Sequence, residues 1–333
     1  MKARTMKALV YEAYGSPEVL QIKEVDVPAP KEHEVLIEVY AASVNSWDWD
    51  LLRGKPYINR IGGLRKPRFP ILGADIAGKI IAVGASVTRF RPGDEVFGDL
   101  SGCSWGGFAE YVCAGEDALT PMPKRLSFEQ AAAIPQAAVL ALQGMRDKGN
   151  LRKGQQVLIN GAGGGVGTFA IQYAKLHEAE VTAVDRACKR DMLLSLGADH
   201  VQDYRNEDFT ANRRQYDLIL DVVGTRSVFK VKRALKKGGT YVMIGGLMPR
   251  LLQTLLAAPL IRRFEKKNVT ILIHKPNDAD QQVWKLLAEA GQVTPVIDRL
   301  YGLQDAAEAF RYFGEGEFKG KIVVRIKSET PTP

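Results

Sequence analysis

The residues best equipped for chemistry form one run, Asn160-Gly161-Ala162-Gly163-Gly164-Gly165-Val166-Gly167, directly after the apolar segment Gln156-Val157-Leu158-Ile159. A buried strand that enters clustered glycines and then a helix opens a dinucleotide-binding βαβ unit. Glycines are required there because a Cβ would block both the tight turn and the approach of a pyrophosphate to the helix N-terminus. Asp185 ends the next apolar run, Glu180-Val181-Thr182-Ala183-Val184, where an acidic side chain meets the adenosine ribose. Its carboxylate favours free ribose hydroxyls, and therefore NADH. Arg186, Lys189 and Arg190 follow it and favour a 2′-phosphate, and therefore NADPH, with Arg able to pair in a bidentate fashion. These residues alone leave NADPH and NADH both open.

These residues need a scaffold, and the flanking sequence supplies one. From about Ser127, a helix cap with Gln130 at its third position, the chain takes on a βα rhythm. Strand candidates fall at 156–160, 180–184, 217–222, 239–244 and 269–273, separated by helix-length segments, the pattern of a mostly parallel sheet covered on both faces. Residues 1–126 instead read as strand-rich, with alternation in Val35-Leu36-Ile37-Glu38-Val39-Tyr40 and turn chemistry such as Arg91-Pro92-Gly93-Asp94. The segment 274–327 carries an amphipathic helix over Asp280–Ala290 and ends in a strand, Lys321–Ile326, expected to return to the first domain. Residues 328–333 read as a flexible tail. The expected domains are 1–126, 127–273 and the returning segment 274–327.

Composition narrows the function classes. The chain has 333 residues, 46% hydrophobic and 25% charged, with a formal charge of +8, which is enough for two globular domains. A positive charge suits an anionic cofactor, a nucleic acid or an anionic membrane surface. The cations are dispersed without aromatic interleaving, so no nucleic-acid partner is expected. Cys103, Cys113 and Cys188 show no pairing pattern, which suits the cytoplasm or another reducing compartment. The start passes directly into a strand-like Ala8-Leu9-Val10-Tyr11 with no signal-peptide core. The nearest approach to a membrane-length apolar stretch, residues 247–264, is interrupted by Arg250 and Pro259. It reads as a short helix covering a pocket or a subunit surface, with peripheral membrane contact the less supported role.

Further motifs fix a family. They include Tyr14-Gly15-Ser16-Pro17-Glu18-Val19-Leu20, Ala42-Ser43-Val44-Asn45, Leu72-Gly73-Ala74-Asp75-Ile76-Ala77-Gly78, Arg91-Pro92-Gly93-Asp94-Glu95-Val96-Phe97, Gly106-Gly107-Phe108-Ala109-Glu110-Tyr111 and Leu196-Gly197-Ala198-Asp199. Together they resemble the medium-chain dehydrogenase/reductase superfamily, in its zinc-independent quinone oxidoreductase branch, over almost all of 6–327. The resemblance implies an α/β fold: a Rossmann nucleotide-binding domain and a GroES-like β-rich substrate domain built from both chain ends, with substrate bound in a cleft against the Rossmann domain. The three catalytic zinc-ligand places of the superfamily fall at Asn45, Ala74 and about Gln136, none of them a thiolate or imidazole. No zinc is therefore expected. Without a Lewis acid, hydrogen bonds must polarise the acceptor, which favours a quinone or an α,β-unsaturated carbonyl. Aldehyde or ketone reduction, alcohol oxidation without zinc, and a nucleotide-binding protein with no enzymatic role (RNA-binding or membrane-associated) are the alternatives.

The same resemblance implies NADPH as the cofactor, with NADH possible, and nominates individual residues. Asn45 is a donor to substrate oxygen, or else it satisfies a local turn. Asp48 holds a loop or a cofactor hydroxyl. Trp47 and Trp49 are expected to give an apolar wall, with burial in the core the competing fate. Tyr57 is a further candidate donor. The cofactor set is completed by Leu140, standing where relatives often carry Thr, and by Tyr204, Val223, Gly245, Lys275 and Lys321. A homodimer is expected through the edge of the Rossmann sheet near Tyr241–Ile244 and Val269–Ile273.

Overall fold

The structure is a computed structural model describing residues 4–60, 63–212 and 214–327, so the expected tail at 328–333 lies outside the described residues. The chain divides into two units, Met1–Gln136 with Pro276–Pro333 and Ala137–Lys275. The first boundary falls at 136/137 rather than 126/127. The helix Phe128–Ala132, capped by Ser127 and Gln130 as its sequence requires, buries Phe128, Ala131 and Ala132 and packs on first-unit strands.

The second unit is a six-stranded, wholly parallel sheet in the order His200–Asp203, Glu180–Asp185, Gln156–Asn160, Tyr216–Asp221, Leu235–Met243, Asn268–Ile271. Its central strands are buried at nearly every position, and so on both faces, as crossover helices require. Five strands lie close to their sequence assignments. His200–Asp203 was not anticipated, because a four-residue, half-exposed edge strand carries little apolar pattern.

The segment expected as a short helix is one of 18 residues, Met248–Glu265. Pro259 does not end it. That residue lies on the outer face, while Thr254, Ala257 and Ile261 are buried at helical spacing and anchor both halves to the sheet. Among the described residues, no helix is long and apolar enough to cross a membrane.

The first unit is a mostly antiparallel seven-stranded sheet plus the ribbon Thr5–Val10 with Gln21–Asp26. Ile297–Gly302, Lys321–Arg325, Glu34–Val44, Asp75–Val83, Glu95–Asp99 and Leu119–Pro121 follow in order, and Tyr111–Gly115 also pairs with Glu34–Val44. Val35, Ile37, Val39, Ile76, Ile322 and Val324 fill its core with Phe108 and Phe310, whose rings meet edge to face at 5.5 Å. Register then lines up polar residues. Val323 pairs with Ser43, Ser43 with Asp75, and Asp75 with Asp99. One pleat further along, Lys321 and Asn45 share a face with that row.

Candidate functional site

In the second unit, the sheet reverses its order at Gln156–Asn160, which has Glu180–Asp185 on one side and Tyr216–Asp221 on the other. The crevice at the carboxyl ends of strands at such a switch point is where this class of sheet binds ligands. The strand ends are clamped. Asn160 Nδ2 donates to Asp221 Oδ1 at 2.7 Å, and the buried Asp221 also accepts from the Tyr241 hydroxyl at 2.9 Å and the Gly224 N–H at 2.8 Å.

Gly161 then turns at φ +83°, a conformation that favours glycine. The helix Gly165–Leu176 starts at Gly164, which has no side chain to cap it, so first-turn N–H groups remain available to an anion. The loop glycines differ in purpose. A Cβ on Gly167 would sit 2.5 Å from Ala162 backbone carbons, whereas one on Gly164 would meet nothing closer than Gly161 O at 3.6 Å. Gly167 is therefore required by packing. Gly164 leaves open room beside the helix N-terminus, a cradle that fits a dinucleotide pyrophosphate.

Asp185 is almost fully buried. Its Oδ2 accepts from the Gly163 N–H at 2.7 Å and its Oδ1 from the Arg186 N–H at 2.8 Å. Lys189, itself buried, brings its ammonium to 3.2 Å from Oδ1. Arg186 donates to the Tyr204 hydroxyl at 3.1 Å, and Arg190 reaches Val201 O at 3.3 Å. A Cβ on Gly161 would lie 2.7 Å from Val223 Cγ2. Gly165, Val166, Leu140 and Gly245 are partly exposed and Lys275 is exposed. Lys275 is positioned by a residue that the sequence reading did not single out: Gln143 donates to Lys275 O at 2.7 Å and accepts from Lys275 N–H at 3.3 Å. Gln143 begins the π-helical turn Gln143–Lys148, a geometry frequent at functional sites. The signal for it was a buried amide at the end of the apolar run Ala137–Leu142.

Asp48 and Lys321, expected with the cofactor set, sit in a buried polar cluster of the first unit. Asp48 is completely buried at the third position of the Ser46–Arg53 helix. It accepts from the Gly73 N–H at 2.8 Å and the Asn45 N–H at 2.9 Å. Both carboxylate oxygens are thus bonded to backbone, which assigns it to holding the loop. Burial pushes its carboxyl up to about 7 against the pull of those two hydrogen bonds. Lys321 is 3% exposed. Its ammonium lies 3.2 Å from Asp75 Oδ2 and donates to Asn45 Oδ1. Asp75, fully buried, also accepts from the Ser43 hydroxyl at 3.2 Å and the Gln136 N–H at 3.1 Å. Burial raises its carboxyl, while Lys321 pulls it down and Asp99 adds to the rise. The Asn45 amide also helps to lower it, although Asn45 Nδ2 makes no well-formed hydrogen bond among the described residues. Gln136 Nε2, equally buried, has no hydrogen-bond partner among the described residues. Asp75 was not a candidate beforehand, although a carboxylate inside the small, apolar run Leu72–Gly78 was a legible signal.

The two tryptophans separate because residues two apart on a helix face different ways. Trp47 is 41% exposed and meets Trp105 edge to face at 5.9 Å, with Phe69 6.2 Å from Trp105. Trp49, expected in the substrate wall, points into the core instead. It lies 6.1 Å from Phe313, and Gly314 has no side chain because one would strike the indole. Tyr57 is largely exposed with the Arg60 guanidinium 5.1 Å over its ring.

Two family models match this chain: an alcohol dehydrogenase GroES-like domain over residues 31–124 and a zinc-binding dehydrogenase over 196–324. A 2-methylene-furan-3-one reductase of Solanum lycopersicum is 32% identical over 96% of this chain and 79% of its own. A chloroplast envelope quinone oxidoreductase homologue of Arabidopsis thaliana is 31% identical over 97% of this chain and 99% of its own. The chain belongs to the medium-chain dehydrogenase/reductase superfamily, in its quinone oxidoreductase branch. The quinone oxidoreductase of Coxiella burnetii superposes with a TM-score of 0.89 at 28% identity, covering 97% of this chain and 100% of its own.

Membership raises the question of zinc, and the donor set bears on it. Among the described residues, no three His, Cys, Asp or Glu side chains gather where they could hold a metal ion. The positions expected to correspond to zinc ligands are two amides, Asn45 and Gln136, and the methyl of Ala74, and the Lys321 ammonium already contributes a cation beside Asn45. These residues do not fit zinc.

Proposed function

We propose that the protein is an NAD(P)H-dependent reductase of quinones or α,β-unsaturated carbonyls that works without zinc. One observation carries the reading: two buried amides, Asn45 and Gln136, whose nitrogens make no well-formed hydrogen bond among the described residues, stand in place of metal-ligating side chains. Such donors suit an acceptor whose developing negative charge spreads over a conjugated oxygen. Bound nicotinamide cofactor supplies the hydride. Gly161–Gly167 with the helix behind them hold its pyrophosphate, Asp48 fixes the loop that carries Asn45, and the half-exposed Trp47 offers an apolar surface to a planar acceptor. Family membership and the relatives' activities support the same chemistry.

NADPH is the proposed cofactor. The Asp185 carboxylate is balanced by Lys189 at 3.2 Å, so a 2′-phosphate would not face an isolated negative charge, and Arg186 and Arg190 supply further cations. A homodimer through the open edge of Asn268–Ile271 is supported by the exposed Ile273 and by Leu252, Leu255, Leu256, Leu260 and Phe264 on the outer face of the neighbouring helix. Three free cysteines suit the cytoplasm or another reducing compartment.

The test is a panel. NADPH oxidation is followed against 1,4-quinones, 2-alkenals, enones and saturated ketones, with product analysis separating C=C from C=O reduction. Turnover of quinones or enones well above saturated ketones is expected. Preferential reduction of saturated aldehydes or ketones would replace the acceptor class. Tight nucleotide binding with no turnover would overturn the enzymatic reading.

A further inference from the structure

We infer that the basic stretch following the Ser46–Arg53 helix is a docking surface for an anionic lipid bilayer. Ile58 and Leu64 enter the headgroup region there, while Lys55, Arg65, Lys66 and Arg68 meet the lipid phosphates. The inference goes beyond the proposed reductase function and does not depend on it.

Between Asp50 and Asp75 the chain has no acidic residue and six cations, Arg53, Lys55, Arg60, Arg65, Lys66 and Arg68. Cations that read as dispersed over the whole chain are thus concentrated here, since these six, of a net charge of +8, fall within residues 51–74. Among the described residues only Arg53 of the six forms an ion pair, with Asp50 at 2.9 Å. Glu12 feels the Lys66 charge but is already paired with Lys23 at 2.8 Å. Lys55, Arg65, Lys66 and Arg68 are all exposed.

Three large apolar side chains stand out of the same stretch. Tyr57 is 73% exposed, Ile58 56% and Leu64 76%. Single exposed apolar residues are ordinary, but these are held out by an anchored backbone. Gly54 turns at φ +57° against Tyr14, whose ring a Cβ would strike at 2.8 Å, and Gly54 O accepts from Arg60 Nε at 3.0 Å. The Arg60 guanidinium lies 4.5 Å over the Tyr14 ring and 5.1 Å over that of Tyr57. Further on, the Tyr14 hydroxyl donates to Gly63 O at 2.6 Å, and the Tyr11 N–H donates to Pro70 O at 3.0 Å. Tied at Gly54, Gly63 and Pro70, the stretch keeps Tyr57, Ile58 and Leu64 outside the core.

Unpaired cations, exposed apolar side chains and no acid match the chemistry of an anionic lipid surface. Its phosphates attract Lys and Arg, and the boundary beneath them takes up apolar groups. A nucleic acid would use the same cations but gains nothing from Ile58 or Leu64. The outer face of Met248–Glu265 is also apolar, but its exposed cations are confined to its C-terminal end, and the open strand beside it suits a protein partner. Docking would be peripheral, since no described helix is long and apolar enough to cross a membrane.

The test is flotation of the full chain with vesicles of phosphatidylcholine, alone or with about one-third phosphatidylglycerol. The chain should bind the anionic vesicles at least about 10-fold more tightly than the neutral ones, and should leave them as salt rises from about 0.1 to 0.5 M. Arg65→Gln/Lys66→Gln/Arg68→Gln should weaken partitioning by about 100-fold, at roughly 5-fold per cation. Ile58→Ser/Leu64→Ser should weaken it by about 10-fold. All five side chains are exposed, so Tm and circular dichroism should match wild type. A wild-type chain that ignores anionic vesicles overturns the inference, as does unchanged partitioning of both variants. Binding lost in the cation variant but kept in full by Ile58→Ser/Leu64→Ser overturns it too, because charge attraction alone would remain. If a DNA duplex is then bound as tightly as the vesicles, with the same pattern of loss, the partner is a nucleic acid instead.

Discussion

Gly164 and Gly167, three residues apart in one motif, should fail for different reasons when replaced by valine. Gly167→Val forces a side chain into backbone: its Cβ would begin 2.5 Å from Ala162 carbons, which do not yield as a flexible side-chain end would. Overpacking of this kind costs about 1–3 kcal/mol, occasionally more. At roughly 2–4 °C per kcal/mol for a unit of this size, the expected loss is about 2–12 °C in Tm. Gly164→Val adds its Cβ 3.6 Å from the nearest atom, on a backbone at φ −92° that valine tolerates. Its Tm without ligand should stay within about 1–2 °C of wild type. Its methyl groups would instead occupy the room beside the helix N-terminus and deny NADPH phosphate one or two charge-assisted backbone hydrogen bonds. Each is worth about 1.5–3 kcal/mol, or roughly 10–150-fold in Kd. Thermal melts with and without NADPH, together with calorimetric titration, separate the two. The reasoning is refuted if Gly164→Val binds NADPH like wild type, or if its ligand-free Tm falls as far as that of Gly167→Val.

Other changes test other parts of the structure. Lys189→Met should unmask the Asp185 carboxylate and weaken NADPH by about 10–100-fold more than NADH; an unchanged ratio of the two Kd values would remove Lys189 from the phosphate site. Asp48 titrates near 7 when folded against an ordinary 3.8, so the folded state binds the extra proton and stability falls as pH rises from about 4 to 7, by an amount on the order of 4 kcal/mol at most. Asp48→Asn should flatten that slope in denaturant melts across the window, while losing one backbone hydrogen bond at every pH; a slope equal to wild type would contradict the assignment. Light scattering at micromolar concentration should return twice the chain mass, and Ile273→Lys with Leu256→Lys should return the monomer mass with the fold intact by circular dichroism. A wild-type monomer would dispose of the sheet-edge interface.

Much of this was written locally in the chain. The strand-loop-helix at 156–176 was legible because apolar runs, glycine spacing and helix periodicity are short-range properties, and the order of βα units limits a parallel sheet to few topologies. Asp185 was found for the same reason: it ends the strand that follows the loop helix. The helix over 248–265 shows where local reading stops. Pro259 and Arg250 argue for interruption, but burial of Thr254, Ala257 and Ile261 outweighs the one backbone bond that proline removes. Trp47 and Trp49 were indistinguishable by type, and which one is exposed depends on the phase of the helix relative to a core made by distant segments.

By itself, then, the sequence determined the two kinds of domain, the glycine cradle, the acidic residue behind it and the unsuitability of Asn45, Ala74 and Gln136 as zinc ligands. Those conclusions depend on residue type and near-neighbour order. Tertiary structure alone decided that Lys321 joins Asn45 and Asp75, that Asp48 bonds backbone, and that Gln143 holds Lys275. Lys321 and Asn45 are 276 residues apart and meet because two strands pair in one register. Register is set by burying whole apolar faces, so no short stretch of sequence contains it.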